Sequence, residues 1–323
     1  MPINNNVDLH LVNKNKESIL LVGLGHIGLK HINSILKFED SLSIYGIVEP
    51  SKKSVKFFKQ QNNNSCKFFQ DLTEVDLDLV DTVVLCSPSF THYAQITYLF
   101  NKVENIICEK PIFIDPIHAT KIKELVKSSE STNLIPLLQV RHSNSAKYLR
   151  EKDLSNVNSI DMTMNWKRDK FYFKKNEWRG TKDGDGGLLL NQAIHYFDFL
   201  SSFFGRINNM KNDAIFTNLN NSETSDVMYG VCKFDSTPMN FNLSVSSSIN
   251  HPVAINIQYA NNDLLKLSGN SLDKVVDNDQ LIKFENKDNN LHNSFYASYI
   301  NDSISTNILN HLHLNEELAK NIE

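Results

Sequence analysis

The chain has 323 residues, 41% of them hydrophobic and 22% charged, which is enough apolar material for more than one packed core. Its 33 Lys and Arg against 37 Asp and Glu give a formal net charge of −4, with no basic run beyond pairs such as Lys52-Lys53 and Lys174-Lys175, which argues against nucleic acid or an acidic membrane as partner. The start, Met-Pro-Ile-Asn-Asn-Asn-Val-Asp, lacks the features of a signal peptide and no apolar run reaches the length of a membrane span, so a soluble cytoplasmic protein is expected.

Residues 1–16 carry no strong pattern and are expected to form a mobile tail. From 18 to 140, short apolar runs alternate with amphipathic ones: Ile19 to Val22 then Ile27 to Leu36, Ile44 to Val48 then Ser54 to Phe58, Thr82 to Cys86 then His92 to Leu99, Val103 to Cys108 then Ala119 to Val126, and finally Leu134 to Val140. Strands alternating with helices of this length predict a doubly wound parallel sheet covered on both faces. Past about Ser143 the pattern changes. A helix-like Ala146 to Glu151 precedes a strand-like Ser159 to Trp166, and alternating stretches follow near Asp226 to Phe234, Met239 to Ser247, Ala254 to Ala260 and Leu264 to Ser268. They predict an α+β domain with an open, mainly antiparallel sheet, and Phe295 to Leu309 and His313 to Ile322 read as helical. The expected division is 1–142 for cofactor binding and 143–323 for substrate binding and oligomerisation. Cys66, Cys86, Cys108 and Cys232 lack C-x-x-C spacing and read as buried free thiols. The asparagine runs at Asn4 to Asn6 and Asn62 to Asn64 are compositional bias.

Gly23, Gly25 and Gly28 have G-x-G-x-x-G spacing directly after an apolar strand and before an apolar-periodic helix, the context in which backbone N–H groups receive a pyrophosphate. Glu49 closes the next strand about 20 residues on, where an acidic side chain accepts hydrogen bonds from the adenosine ribose. A carboxylate there repels a 2′-phosphate and so favours NAD, while Lys52 and Lys53 keep NADP open.

In Gly187-Leu-Leu-Leu-Asn-Gln-Ala-Ile-His-Tyr-Phe-Asp198, the polar residues Asn191, His195 and Asp198 fall at i, i+4 and i+7 and share one face of a regular α-helix. By itself this fits either a site or a helix with a hydrogen-bonded core histidine. The preceding segment brings together Trp166, Lys167, Arg168, Lys170, Tyr172, Trp178 and Arg179. Guanidinium forks suit phosphate and carboxylate and aromatic faces suit sugar rings, although a solvated charged loop with two core tryptophans has the same composition. Arg141, just past the sixth strand, is a further candidate for that pocket.

Three more segments occur in a telling order: Cys86-Ser-Pro-Ser-Phe-Thr-His92 after the fourth strand, Glu109-Lys-Pro111 after the fifth, and Gly186-Gly-Leu-Leu-Leu-Asn-Gln-Ala-Ile-His195 in the second domain. With the glycine turn they resemble the glucose-fructose oxidoreductase, inositol dehydrogenase and MocA family, nicotinamide-dependent enzymes of sugars and polyols. The likeness covers nearly the whole chain and implies an N-terminal Rossmann domain. Glu177-Trp-Arg-Gly-Thr181 followed by Leu190-Asn-Gln-Ala-Ile-His-Tyr-Phe-Asp198 is most similar to bacterial dehydrogenases that oxidise carbon 3 of UDP-N-acetylglucosaminuronic acid in surface-polysaccharide synthesis. Many inositol and glucose enzymes of the family have Asp four residues before the histidine; Asn191 stands here, cannot relay a proton, and is cast as a hydrogen-bond positioner.

Oxidising a secondary alcohol needs a base for the hydroxyl proton and a cation for the developing alkoxide. The resemblance assigns these roles to His195 and Lys110, against the alternative of a surface lysine closing a strand. It places His26, Ile27, Ser87, Pro88, His92 and Glu109 along the cofactor, with a structural role at a helix start as the other reading for His92. Asp198 either contacts substrate or fixes a loop. His311 and His313 read as surface residues, and the chemistry calls for no metal. An NADPH-dependent ketosugar reductase, a polyol dehydrogenase and a non-catalytic nicotinamide or sugar sensor are the alternatives. The family's dimers and tetramers imply a homo-oligomer through the open face of the second sheet.

Overall fold

A computed structural model of the chain describes residues 16–61, 66–168, 170–174, 176–216, 222–284, 290–304 and 307–322. The expected tail, apart from Lys16, and the Asn62 to Asn64 run lie outside the described residues, as does Lys175. The chain divides into two compact units: 1–112 with 120–137 and 292–308, and 113–119 with 138–291 and 309–323.

In the first unit the elements run β1 (Glu17–Val22), α1 (His26–Leu36), β2 (Leu42–Val48), α2 (Lys52–Gln61), β3 (Lys67–Phe69), β4 (Thr82–Leu85), α3 (His92–Leu99), β5 (Asn105–Cys108), α4 (His118–Ser128) and β6 (Asn133–Pro136). The six strands are parallel in the order β3-β2-β1-β4-β5-β6, the doubly wound arrangement whose strand order reverses beside β1. Five of the six residues of β1 are buried, as a strand covered on both faces requires. On α1, Gly28, His31, Ile32 and Ile35 form the buried stripe at helical spacing.

The second unit adds α5 (Asn144–Arg150), β7 (Val157–Lys167), α6 (Lys170–Lys174), α7 (Lys182–Asp185), α8 (Ile194–Phe204), β8 (Ile207–Ile215), β9 (Val227–Phe234), β10 (Thr237–Ser244), β11 (Ser246–Tyr259), β12 (Leu264–Ser268), β13 (Lys274–Asp277) and β14 (Gln280–Ile282). Its sheet order is β14-β13-β12-β11-β7-β10-β9-β8, antiparallel except for the β10–β7 pair. Strand β7 shows why one face is wet: Ile160, Met162 and Met164 are buried, while Asp161 and Thr163 between them are exposed. The buried face packs against Ile194, Phe197 and Leu200 of α8 within one apolar core.

Two late helices, α9 (Leu291–Ile300) and α10 (Ile308–Lys320), part company: α9 belongs to the first unit and α10 to the second. The expected single boundary at 142 is therefore a chain that crosses several times. Phe295 and Tyr296 of α9 are 1% and 0% exposed in the first unit's core, a burial that sequence order gives no hint of. The expected helix Phe295 to Leu309 ends at Ile300, and the expected strand Leu134 to Val140 stops at Pro136, with a 3-10 turn at Gln139–His142. Strands β3, β8, β13 and β14 went unanticipated because they are short or rich in polar residues, as in Ile-Asn-Asn-Met-Lys-Asn-Asp-Ala-Ile for β8. The four cysteines are free thiols, Cys66, Cys108 and Cys232 buried and Cys86 partly so. Among the described residues no helix is long and apolar enough to cross a membrane.

Candidate cofactor and substrate sites

The glycine turn joins β1 to α1. Gly23 has φ +100°, and a Cβ there would lie 2.8 Å from the Cys86 carbonyl oxygen; a Cβ on Gly28 would lie 2.2 Å from that of Gly23. Both glycines are demanded by backbone approaching backbone. Gly25 differs, since a Cβ on it would meet nothing within 4 Å. It caps α1 without a side-chain hydrogen bond, so the N–H groups of the first turn, at His26 and Ile27, sit at a positive helix end beside open space. That geometry fits a dinucleotide pyrophosphate. Glu49 is already engaged: its Oε2 accepts from Leu24 N at 2.8 Å and its Oε1 from Ser51 N at 2.9 Å. A carboxylate has about four acceptor positions, so it locks the glycine turn and keeps capacity for ribose hydroxyls.

After β4 and β5 two short segments are tied together. The ring of His92 bridges the carbonyls of Pro111 (Nδ1, 2.7 Å) and Ser87 (Nε2, 3.1 Å). It is 1% exposed and burial pushes its pKa down, so the neutral ring donates to one of these carbonyls and packs its other nitrogen against the second, joining the Ser87 and Pro111 turns. Ser87 turns its hydroxyl to Gln95 and Thr91, and Pro88 caps the 3-10 turn before α3. Lys110 is half-buried and precedes a cis peptide bond to Pro111.

Glu109 is 8% exposed and faces inward, with Oε1 at 3.4 Å from His31 Nε2 and 3.6 Å from His292 Nε2. Burial works to raise its carboxyl, but the hydrogen bonds from His292 and His31 outweigh it and hold the group well below the usual carboxylate range. Ligand-type atoms of these three residues lie within 4.8 Å of one another, and His31 Nδ1 meets the Tyr296 hydroxyl at 2.7 Å. Burial pushes the His31 pKa down, so hydrogen bonding of a buried carboxylate by imidazole N–H groups accounts for this cluster. Glu109 also accepts from the backbone N–H of Lys110 at 3.3 Å, so it anchors the turn from which Lys110 extends.

In the second unit, the segment carrying His195 departs from the regular helix assumed for it. Leu188–Ala193 is a π-helix, and α8 starts only at Ile194. Its wider turn leaves His195 and Asp198 on the regular α8 and sets Asn191 in a separate register, and Asn191 and Asp198 meet different partners. Asn191 Nδ2 donates to Asp185 Oδ2 at 2.8 Å and to the Tyr172 hydroxyl at 3.4 Å. Asp198 is 1% exposed and accepts a bidentate bond from Arg141 (Nε 2.7 Å, Nη2 2.8 Å) and a third from His311 Nδ1 at 2.8 Å. Burial raises the Asp198 carboxyl, but the Arg141 charge and the His311 bond overcome it and hold the pKa at about 2. This geometry supports the loop-fixing alternative for Asp198 and absorbs Arg141 into the same ion pair. His311, expected at the surface, is 1% exposed because α10 turns it onto Asp198, and His313 is partly buried against the Ile207 carbonyl.

The cations and aromatics converge. Arg168 stands 4.8 Å from the ring centres of both Trp166 and Tyr172, and Arg179 stands 4.7 Å from Tyr172 and 4.8 Å from Trp178. The result is an alternating stack, Trp166-Arg168-Tyr172-Arg179-Trp178, with all five partly buried. The Lys170 side chain lies outside the described residues. His195 is 9% exposed in the neighbouring helix. Asp185, which sequence reading passed over, is 1% exposed; burial raises its carboxyl above the usual value, and the Gly180 and Gly187 N–H groups and the Asn191 amide offset this only in part. A carboxylate amid Gly184, Gly186 and Gly187 was the available signal, because chain that tight around an acid hands it backbone donors.

Two family descriptions match the chain: the oxidoreductase family with an NAD-binding Rossmann fold over residues 18–137, and the GFO/IDH/MocA C-terminal domain over 144–260. Similar folds occur among solved structures. The WlbA dehydrogenase of Bordetella pertussis, in complex with NADH and UDP-GlcNAcA, superposes with a TM-score of 0.81 at 18% identity, covering 95% of this chain and 94% of its own. The WlbA dehydrogenase of Chromobacterium violaceum, with the same two ligands, gives 0.78 at 19% identity over 98% and 92%. Levoglucosan dehydrogenase in complex with NADH and L-sorbose gives 0.78 at 13% over 94% and 96%.

Proposed function

The chain belongs to the GFO/IDH/MocA oxidoreductase family, with its NAD-binding Rossmann fold, and on that premise we propose that it oxidises a ring hydroxyl of a carboxylated nucleotide sugar, at carbon 3 of a UDP-sugar destined for surface polysaccharide. The observation that carries the substrate class is the stack in which Arg168 and Arg179 alternate with Trp166, Tyr172 and Trp178. Two guanidiniums held on aromatic faces offer fork-shaped donors to a diphosphate or a carboxylate, and the rings offer stacking surface to a base or sugar. The UDP-GlcNAcA bound by the WlbA dehydrogenases, structures similar in fold, supports the same reading.

The nicotinamide cofactor, when bound, supplies the hydride acceptor. Gly25 and the first turn of α1 hold its pyrophosphate, and Glu49 accepts from the ribose with the lone pairs left beyond Leu24 and Ser51. Ser87, Pro88 and His92 shape the neighbouring turn, and Glu109 fixes the backbone from which Lys110 extends. Lys110 stabilises the alkoxide as charge develops on the substrate oxygen, and His195 takes the hydroxyl proton. Asn191 orients the sugar. The outer face of the second sheet, where Tyr229 and Val231 are each 46% exposed, makes the homodimer or homotetramer contact; a monomer by light scattering rejects that part.

Purified protein supplied with NAD and UDP-N-acetylglucosaminuronic acid should form NADH, with neutral polyols much poorer substrates. His195→Ala should lose about 10² to 10⁴ in turnover with NADH affinity nearly unchanged. A His195→Ala enzyme with more than a third of wild-type activity sinks the assignment, as does NADH binding without turnover of any UDP-sugar or polyol, the behaviour of a sensor.

A further inference from the structure

Asp185 is a buried carboxylate in a place where a buried carboxylate is costly unless it is fully hydrogen-bonded. It ends α7 within Asp183-Gly-Asp-Gly-Gly187 and is 1% exposed. Its Oδ2 accepts from Gly180 N at 3.0 Å and from Asn191 Nδ2 at 2.8 Å, and its Oδ1 accepts from Gly187 N at 2.9 Å. The chain contorts to deliver it. Gly186 and Gly187 take φ of +68° and +59°, and a Cβ on Gly184 would lie 2.1 Å from the Trp178 carbonyl oxygen. An apolar residue would fill this space without an acceptor, so the turn is organised around the charge.

We propose that Asp185 is a positioning residue of the sugar site: through Asn191 it decides which kind of hydrogen bond the substrate meets there. The inference rests on the reading of Asn191 as a substrate contact. With Nδ2 committed to Asp185 and to the Tyr172 hydroxyl, the Asn191 amide is held in one of its two flips. Its Oδ1 edge is then an acceptor, matched to a hydroxyl on the ring and mismatched to a carbonyl or a deoxy position. The hold continues outward, because Gln192 Nε2 also donates to the Tyr172 hydroxyl at 3.1 Å and Gln192 Oε1 accepts from Arg168 Nη2 at 3.4 Å. The carboxylate sets the amide directly, and Tyr172 joins that amide to Gln192 and Arg168 of the stack. Its neutral amide analogue does so less well, since in either flip at least one of the three donors now facing the carboxylate meets the NH2 group.

The test compares wild type, Asp185→Asn, Asn191→Asp and the double swap. Affinity for UDP-N-acetylglucosaminuronic acid is read by quenching of Trp166 and Trp178 fluorescence, and KM and kcat by turnover. Asp185→Asn should weaken sugar binding and raise KM about tenfold or more, the loss of roughly one well-placed hydrogen bond. NADH affinity should stay within about twofold, because the change lies in the substrate-binding unit. Asn191→Asp sets two carboxylates 2.8 Å apart and should bring a new ionisation into the pH profile of KM. The double swap restores a donor facing an acceptor and should recover most of the lost sugar affinity, and with one carboxylate left in the pair the new ionisation of Asn191→Asp should disappear. A folded Asp185→Asn protein with unchanged sugar affinity and KM overturns the proposal, and so does a double swap no better than Asp185→Asn. If the wild-type protein binds NADH but no UDP-sugar, the functional reading itself has failed, and the proposal falls with it for that separate reason.

Discussion

At the residue scale, the chemistry divides between groups turned toward ligand and groups spent on holding them. Asp198 belongs to the second kind. Its carboxylate is buried against Arg141 and His311, so Asp198→Asn would leave the Arg141 charge with a weakened partner, an effect on the order of 3 to 5 kcal/mol read as a fall in the urea midpoint at neutral pH. The pH dependence has a definite sign. The folded pKa of about 2 lies below the unfolded value near 3.9, so the stabilisation is complete above the unfolded value and is lost as pH falls through about 2. The stability gap between wild type and Asp198→Asn should therefore shrink through that acid window; a gap that stays constant there contradicts the ion pair. His195, Asn191 and Asp198 were all legible as polar residues in an apolar segment. That Asn191 turns to Asp185 while Asp198 pairs with Arg141 and His311 was not, because spacing assumes a regular helix through Asn191 and the π-turn at Leu188–Ala193 breaks that assumption.

At the element scale, the glycine turn separates two functions of one residue type. Gly28→Ala would drive a Cβ to 2.2 Å from the Gly23 carbonyl oxygen and should destabilise the first unit by a few kcal/mol, seen as a lower melting temperature. Gly25→Ala meets no protein atom, so the melting temperature should hold while NADH affinity drops about tenfold or more. Equal loss of stability in both variants would mean that Gly25 serves folding alone. The short segment from Trp178 to Gly187 works by the same economy of space, since its glycines let the backbone donate to Asp185. The strand-helix alternation and the glycine spacing were readable because both are periodic and local. Strand β8, whose apolar residues are Ile207, Met210, Ala214 and Ile215 without an alternating pattern, forms because its neighbour β9 offers an edge, which no window of sequence contains.

At the scale of the whole molecule, the order of the chain and the order of its cores diverge. A fragment of residues 1–142, the domain expected from sequence, lacks Phe295 and Tyr296, which are essentially fully buried among the residues of β1, β2 and α1. It should lack a cooperative unfolding transition by circular dichroism, and in the full chain Phe295→Ala should cost about 3 to 5 kcal/mol of the first unit's stability. A fragment that binds NADH and unfolds cooperatively would show α9 to be dispensable. The doubly wound sheet, the glycine turn of the NAD-binding fold and the family were legible in the sequence alone, because periodicity, glycine spacing and short motifs are local consequences of backbone geometry. Which carboxylate answers which donor was left to the tertiary structure. The pairs Asp198 with Arg141 and His311, Glu109 with His31 and His292, and Asp185 with Asn191 were set by where buried carboxylates found their donors, and that depends on contacts the linear order leaves open.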